Sequence, residues 1–270
     1  MPRPRVHQVE AIILREQDYA EADRILTLLT PAGKMTVLAR GVRKPTSRKV
    51  GHLGLFQRSQ LMLAQGSNLD LVTQAEALDV YEGLRHDLLR FTYACYAAEL
   101  VDRFVPEHEG TAELFDLVSS ALSWFAASDD LRLWARYFEL KLLQHTGYMP
   151  SLFECVVCGM ALQPEPNYFD LAQGGLVCPR CAAGIAGART VTLAAQKVLR
   201  YLSAHTPEEA GMLQLREDTQ RELEVLMQAY LQYTLERELK STTFLRRLRS
   251  ELALHEATRS RPRAPEEGQV

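Results

Sequence analysis

The chain has 270 residues, of which 47% are hydrophobic and 24% charged, and a formal net charge of -3 at pH 7. That length suits one large domain or two small ones, and the balance gives no global bias toward nucleic acid. It contains nothing near the ~18 uninterrupted apolar residues of a membrane span, and Ala11–Leu14 behind Glu10 is too short for a signal peptide, so a cytoplasmic protein is expected.

Residues 6 to 79 read as strands. Val6 to Arg15 holds the apolar run Ala11–Leu14, and Asp18-Tyr19-Ala20-Glu21 is polar enough for a turn. Arg24 to Thr30 is the second strand, ended by the hairpin signal Pro31-Ala32-Gly33, and Lys34 to Arg40 is the third. After a basic loop come Phe56 to Gln65 and Leu69 to Asp79, joined by Gly66-Ser67-Asn68. Five short strands with a longer connection between the third and fourth suggest a small closed barrel, with the OB-fold ahead of an SH3-like barrel.

From Glu82 the period changes to three and four. Leu84, Leu88, Phe91, Cys95, Ala98 and Val101 make one apolar helical face. A second helix runs from Thr111 to Phe125, and a third, capped within Ser128–Asp130, runs to Gln144 with Leu131, Trp134, Phe138 and Leu142 on its stripe. Gly147 stops it. Helical periodicity returns at Leu193 to Ala204, Glu217 to Lys240 and Ser241 to Leu252, the last with Arg246, Arg247 and Arg249 expected to be exposed. The aromatic stripes read as core rather than as base-stacking platforms. The expected organisation is α+β in two parts: residues 1–80 as a nucleic-acid-binding barrel, 81–252 as a helical domain, and 253–270 as a disordered tail.

Within the helical part, at 150–190, stand Cys155-Val-Val-Cys158 and Cys178-Pro-Arg-Cys181, nineteen residues apart. Each pair can offer two sulfurs from one tight turn, and the intervening Tyr168–Leu171 and Leu176-Val177 flank Gly174-Gly175 as a small hairpin. A knuckle, a hairpin and a second knuckle make a zinc ribbon. Four thiolates on one Zn2+ leave no open position, so the expected role is structural. A redox dithiol would need only one pair, and two disulfides would need an oxidising compartment. Cys95 reads as core filling.

The charge is unevenly placed. Residues 1–50 carry ten Lys/Arg against five Asp/Glu, and residues 40–49 carry five cations and no acid. The run with Arg40, Arg43, Lys44, Arg48 and Lys49, interrupted by Gly41 and Pro45, reads as a mobile exposed loop beside the binding face of the barrel. Its alternative is a merely solvated loop. No phosphate-binding glycine loop, nucleophile elbow or H-E-x-x-H occurs, and the seven histidines are scattered, so no enzymatic activity is expected.

The order of these parts resembles the RecO family of bacterial recombination mediators across about residues 5 to 252. The residues that carry the likeness are Asp18 to Gly33, Leu38 to Pro45, Cys155 to Gly159, Phe169 to Cys178 and Leu239 to Leu245. The resemblance implies an N-terminal OB-fold and a C-terminal helical domain bearing the zinc site. It further implies binding of single- and double-stranded DNA and annealing of complementary strands in the nucleoid. Cooperation with RecR and the loading of RecA onto DNA coated by single-stranded DNA-binding protein are implied as well, with the tail of that protein docking on the helical domain. Carried over by position, Arg40, Arg43, Lys44, Arg48 and Lys49 become DNA contacts, and Cys155, Cys158, Cys178 and Cys181 become zinc ligands. Leu55 departs from the proline of many relatives, and some relatives lack the cysteines. The rivals are a zinc-ribbon transcription or RNA-binding factor and a nucleic-acid hydrolase.

Overall fold

The computed structural model describes residues 6–236 and 239–259. Strands β1 (Val6–Tyr19), β2 (Asp23–Thr30), β3 (Gly33–Ala39), β4 (Arg58–Ala64) and β5 (Asp70–Asp79) close into a barrel in the order β1-β2-β3-β5-β4. Neighbours are antiparallel except β3 and β5, whose parallel register pairs Val37 with Asp70 and Leu38 with Leu71. This is the expected OB-type barrel. One long strand serves two neighbours: β1 pairs with β4 from Val6 to Ile12 and with β2 from Ile12 to Tyr19. A register shift between Ile13 and Arg15 bends it around the barrel.

The continuous apolar run in β1 has a simple cause. Ala11 and Ile13 face the barrel interior with Leu26, Leu28, Val37, Leu61 and Leu63, while Ile12 and Leu14 face outward into the helical core. A strand buried on both faces needs no alternation. β1 also continues past Arg15, where the sequence reading ends it. Arg24 on β2 pairs with Glu16 at 2.8 Å and Asp18 at 3.1 Å, and these cross-strand pairs keep polar residues in the ladder. The turn therefore falls at Ala20–Ala22.

Behind the barrel lie α1 (Gly83–His86), α2 (Leu88–Phe104), α3 (Ala112–Ala127) and α4 (Leu131–His145). Short polar residues start the long ones: Asp87 accepts from Leu89 and Arg90 N–H, Thr111 from Leu114 and Asp130 from Leu133. The ribbon segment follows, containing β6 (Asn167–Asp170), β7 (Gly175–Val177), α5 (Pro179–Ala182) and β8 (Arg189–Val191). Then come α6 (Leu193–Ala204), α7 (Pro207–Ala210), α8 (Glu217–Leu235) and α9 (Lys240–Arg259). α4 is the central helix, packed by α2, α3, α6 and α8, and it buries its expected stripe.

α4 also buries an ion pair that periodicity cannot disclose. Arg136 and Glu139 are 5% and 0% exposed and bonded to each other, and Tyr96 on α2 donates to the same carboxylate at 2.5 Å. Burial pushes the Glu139 carboxyl up against the Arg136 charge. The last two helices also differ from expectation. α8 ends at Leu235, because Glu236 takes a left-handed conformation (φ 52°), and the chain reverses so that α9 lies on α2. α9 runs on through Arg259, past Leu252, and the rest of the expected tail, 260–270, lies outside the described residues. Arg249 is half-buried, bonded to Glu224 at 2.9 Å and Tyr93 at 3.4 Å, whereas Arg246 and Arg247 are exposed.

Barrel and helices are latched together. Lys34, 6% exposed, donates to the Asp102 carbonyl at 2.6 Å and its carboxylate at 3.1 Å. Lys34 N–H reaches Glu109 O at 2.8 Å and His108 N–H reaches Lys34 O at 2.7 Å. Gly33 (φ 125°) permits this approach, since a Cβ there would stand 2.9 Å from the Glu109 carbonyl. No helix among the described residues is long and apolar enough to cross a membrane.

Candidate nucleic-acid interface and metal centre

The connection from β3 to β4 is shaped by two apolar anchors. Val42 and Leu53, each 1% exposed, plug into the barrel core, and a single 3-10 turn at Val50–His52 lies between the basic run and Leu53. The loop is exposed, as expected, at Arg43 to Thr46 and at Arg48, but its start is fixed. Arg43 N–H donates to Ala22 O at 2.9 Å, and Gly41 N–H donates to Asp23 Oδ1 at 2.7 Å, so the loop is tied to the β1–β2 tip. Sequence reasoning missed these anchors because one valine between Arg40 and Arg43 looks like a break in polarity, not a plug.

The five cations fall into different settings. Arg40, Lys44 and Arg48 are exposed and have no ion-pair or hydrogen-bond partner for their side chains among the described residues. Arg43 lies 3.5 Å from Asp18, with side chains 37% and 57% exposed. Lys49 turns inward, its Nζ donating to Arg40 O at 3.1 Å and Val72 O at 2.9 Å, with burial lowering its pKa against the pull of Asp23. Three free charges and one lightly held charge thus share one edge of the barrel. They can screen and hold phosphates, and no acid–base pair or nucleophile stands among them.

The second site is built from two turns. In the first, Gly159 N–H bonds to Cys155 O at 2.8 Å and Cys155 N–H to Met160 O at 2.9 Å, with Gly159 at φ 70°. In the second, Cys178 precedes α5, and Cys181 and Ala182 N–H return to Cys178 O at 3.1 and 3.0 Å. Val156 N–H reaches Leu176 O at 3.0 Å and docks the first turn on β7. Gly175 allows this, because a Cβ there would meet Val156 at 2.5 Å. The expected hairpin exists as β6 and β7, and β8 adds a third strand in the order β7-β6-β8.

All four sulfurs, of Cys155, Cys158, Cys178 and Cys181, lie within 4.8 Å of one another and could hold a single metal ion. Cys155 is buried, Cys158 exposed, and the other two between. The donor set fits a dication. Burial opposes ionisation of Cys155, but N–H groups of Cys178, Cys158 and Val157 outweigh it and lower its pKa to about 6. Cys181, hydrogen-bonded to Cys178 and crowded by the other sulfurs, is pushed up to about 12. One thiolate is favoured and the next is resisted, so full ionisation of the set calls for a central cation. Cys95 stays apart, its thiol raised to about 11 by burial.

A closed OB-type barrel with a cationic edge, joined to a helical body that carries a ribbon with four clustered sulfurs, defines a two-part OB-fold protein with a cysteine cluster that could hold a metal ion. Residues 5–81 match the family model described as Recombination protein O N terminal, and residues 85–243 match that of Recombination protein O C terminal. The chain belongs to the RecO family. It is similar to the DNA repair protein RecO of Roseiflexus sp. (strain RS-1), at 45% identity over 243 residues that cover 90% of this chain and 86% of the relative. It is likewise similar to that of Pelotomaculum thermopropionicum, at 38% identity with 90% and 94% covered. Against that of Desulforamulus reducens the identity is 36%, with 90% and 95% covered. Family membership assigns the chain a role in DNA repair and recombination.

Proposed function

We propose that the chain is a mediator that binds single- and double-stranded DNA and anneals complementary strands without making or breaking covalent bonds. Residues 1–80 form the DNA-binding domain, and 81–252 form the domain that carries the ribbon. The observation that carries the reading is the loop edge where Arg40, Lys44 and Arg48 stand without partners beside Arg43. Cations there screen the repulsion between two phosphate backbones, and base pairing supplies the driving force. Family membership supports the wider assignment: cooperation with RecR, and loading of RecA onto DNA coated by single-stranded DNA-binding protein.

The four cysteines hold one Zn2+ in this reading. These residues would hold the ion with no open coordination position, and a bound ion would crosslink the Cys155–Cys158 turn to the Cys178–Cys181 turn that follows β7. Strand annealing tests the proposal. Two complementary labelled oligonucleotides are mixed with purified, metal-quantified protein over a salt series. Acceleration that fades as salt rises is expected; no acceleration at any salt, or preference for structured RNA over single-stranded DNA, would overturn it.

A further inference from the structure

Phosphate contacts alone give a site that treats every nucleic acid alike, and telling a single strand from a duplex takes a side chain that meets the bases. The described barrel, residues 6–79, contains two phenyl-type rings, Tyr19 and Phe56. Phe56 is 3% exposed and packs on Phe91 at 5.3 Å between centroids. Tyr19 is 52% exposed, and its hydroxyl and ring have no partner among the described residues.

Its placement is what separates it from an incidental surface tyrosine. Tyr19 is the last residue of β1 and pairs with Asp23, so the two side chains share a face at the β1–β2 tip. Asp23 accepts from Gly41 N–H, which sets Tyr19 on the side of the tip that meets Gly41 and its neighbour Arg40. The opposite face of the tip carries Asp18, held by Arg24 and Arg43. Tip and basic loop are further joined by the Arg43 N–H bond to Ala22 O. The ring is thus carried on a strand end fixed to the cationic loop, on the loop between the first two strands that OB-folds use for oligonucleotides. Three of the four nearby carboxylates, Glu16, Asp18 and Asp23, are engaged within the protein, leaving exposed Glu21 to repel phosphate.

We infer that Tyr19 is a base-stacking residue of this site, selecting unstacked bases of a single strand while Arg40 and its neighbours hold the flanking phosphates. This rests on the DNA-binding reading above and deepens it. Every base has a π-face, so stacking is tolerant of sequence, but the bases of an intact duplex are already stacked and closed to it.

The test measures anisotropy of three labelled probes: oligothymidylate, an abasic strand of equal length, and a blunt duplex. Tyr19→Ala should weaken binding of oligothymidylate by about tenfold. It should leave the abasic strand and the duplex unchanged, and leave the salt slope on oligothymidylate as in the wild type, because no charge is removed. Tyr19→Phe, which keeps the ring, should restore the loss. Binding of oligothymidylate by Tyr19→Ala equal to the wild type would overturn the stacking role alone, as would an equal loss on the abasic strand. Failure of the wild type to bind any probe would overturn the DNA-binding reading, and the stacking role with it.

Discussion

Lys49 belongs to the cationic run by sequence, yet its ammonium closes the space between two carbonyls, Arg40 O and Val72 O. Binding those acceptors is a folding role. Lys49→Met should therefore destabilise the chain by roughly 1–3 kcal/mol, the penalty for leaving such acceptors without their charged donor. Urea denaturation reads it, and an unchanged midpoint would return Lys49 to the surface set. The distinction was invisible in the sequence, because a lysine among lysines and arginines gives no sign of which way it points. The four cysteines were the opposite case. Their spacing stated a common centre, and the sulfurs meet within 4.8 Å. Arg136 and Glu139 were hidden for a third reason: two charges three residues apart on a helix read as a solvated pair, and only the packing of α2 over them shows burial.

At the scale of elements, the ribbon and α9 depend on different chemistry. The two cysteine turns share a small core of Cys155, Val177 and Ala182, while Leu152, Phe169, Leu176 and Val191 of the same segment join the helical core. Cys155→Ser with Cys158→Ser should abolish bound zinc, measured by elemental analysis, and lower the melting temperature. Melting unaltered by the change, in a parent that carries no metal, would defeat the crosslink. α9 is tied at its start by Glu99, whose carboxylate accepts from Lys240 N–H at 3.1 Å and from Ser241 N–H and Oγ at 2.9 and 2.6 Å. Burial raises the Glu99 pKa, but the bonds from Ser241, Lys240 and Arg103 outweigh it and hold it below the ordinary carboxylate value. A depressed folded pKa contributes stability that is present above the unfolded value, near ~4.3, and is lost as pH falls through the folded one. Hydrogen exchange in α9 should therefore accelerate on acidification across that window in the wild type. In Glu99→Gln it should already be faster at neutral pH and change less. Equal protection of α9 in both proteins would remove Glu99 from the latch.

For the molecule as a whole, the five barrel strands, the six long helices and the place of the ribbon were legible because each rests on local periodicity or spacing, whereas the four-residue helices α1, α5 and α7 are too short to show a period. β8 was not: three residues, Arg189–Val191, carry no alternation and form a strand only because β6 offers an edge. The latch between barrel and helices was not legible either, since Gly33 and Lys34 lie far from Asp102 and Glu109 in the chain and meet them only in the fold. That latch, with Ile12, Leu14 and Leu29 facing the helices, makes the helical body a support against which the barrel presents its cationic edge. The central claim is that this edge grips the sugar–phosphate backbone. Its most direct measurement is the salt dependence of DNA affinity for the wild type and for Arg40→Ala/Lys44→Ala/Arg48→Ala. Removal of three phosphate contacts should flatten the log–log slope by about 2–2.7, at ~0.7–0.9 per charge. A slope unchanged from the wild type would contradict the claim.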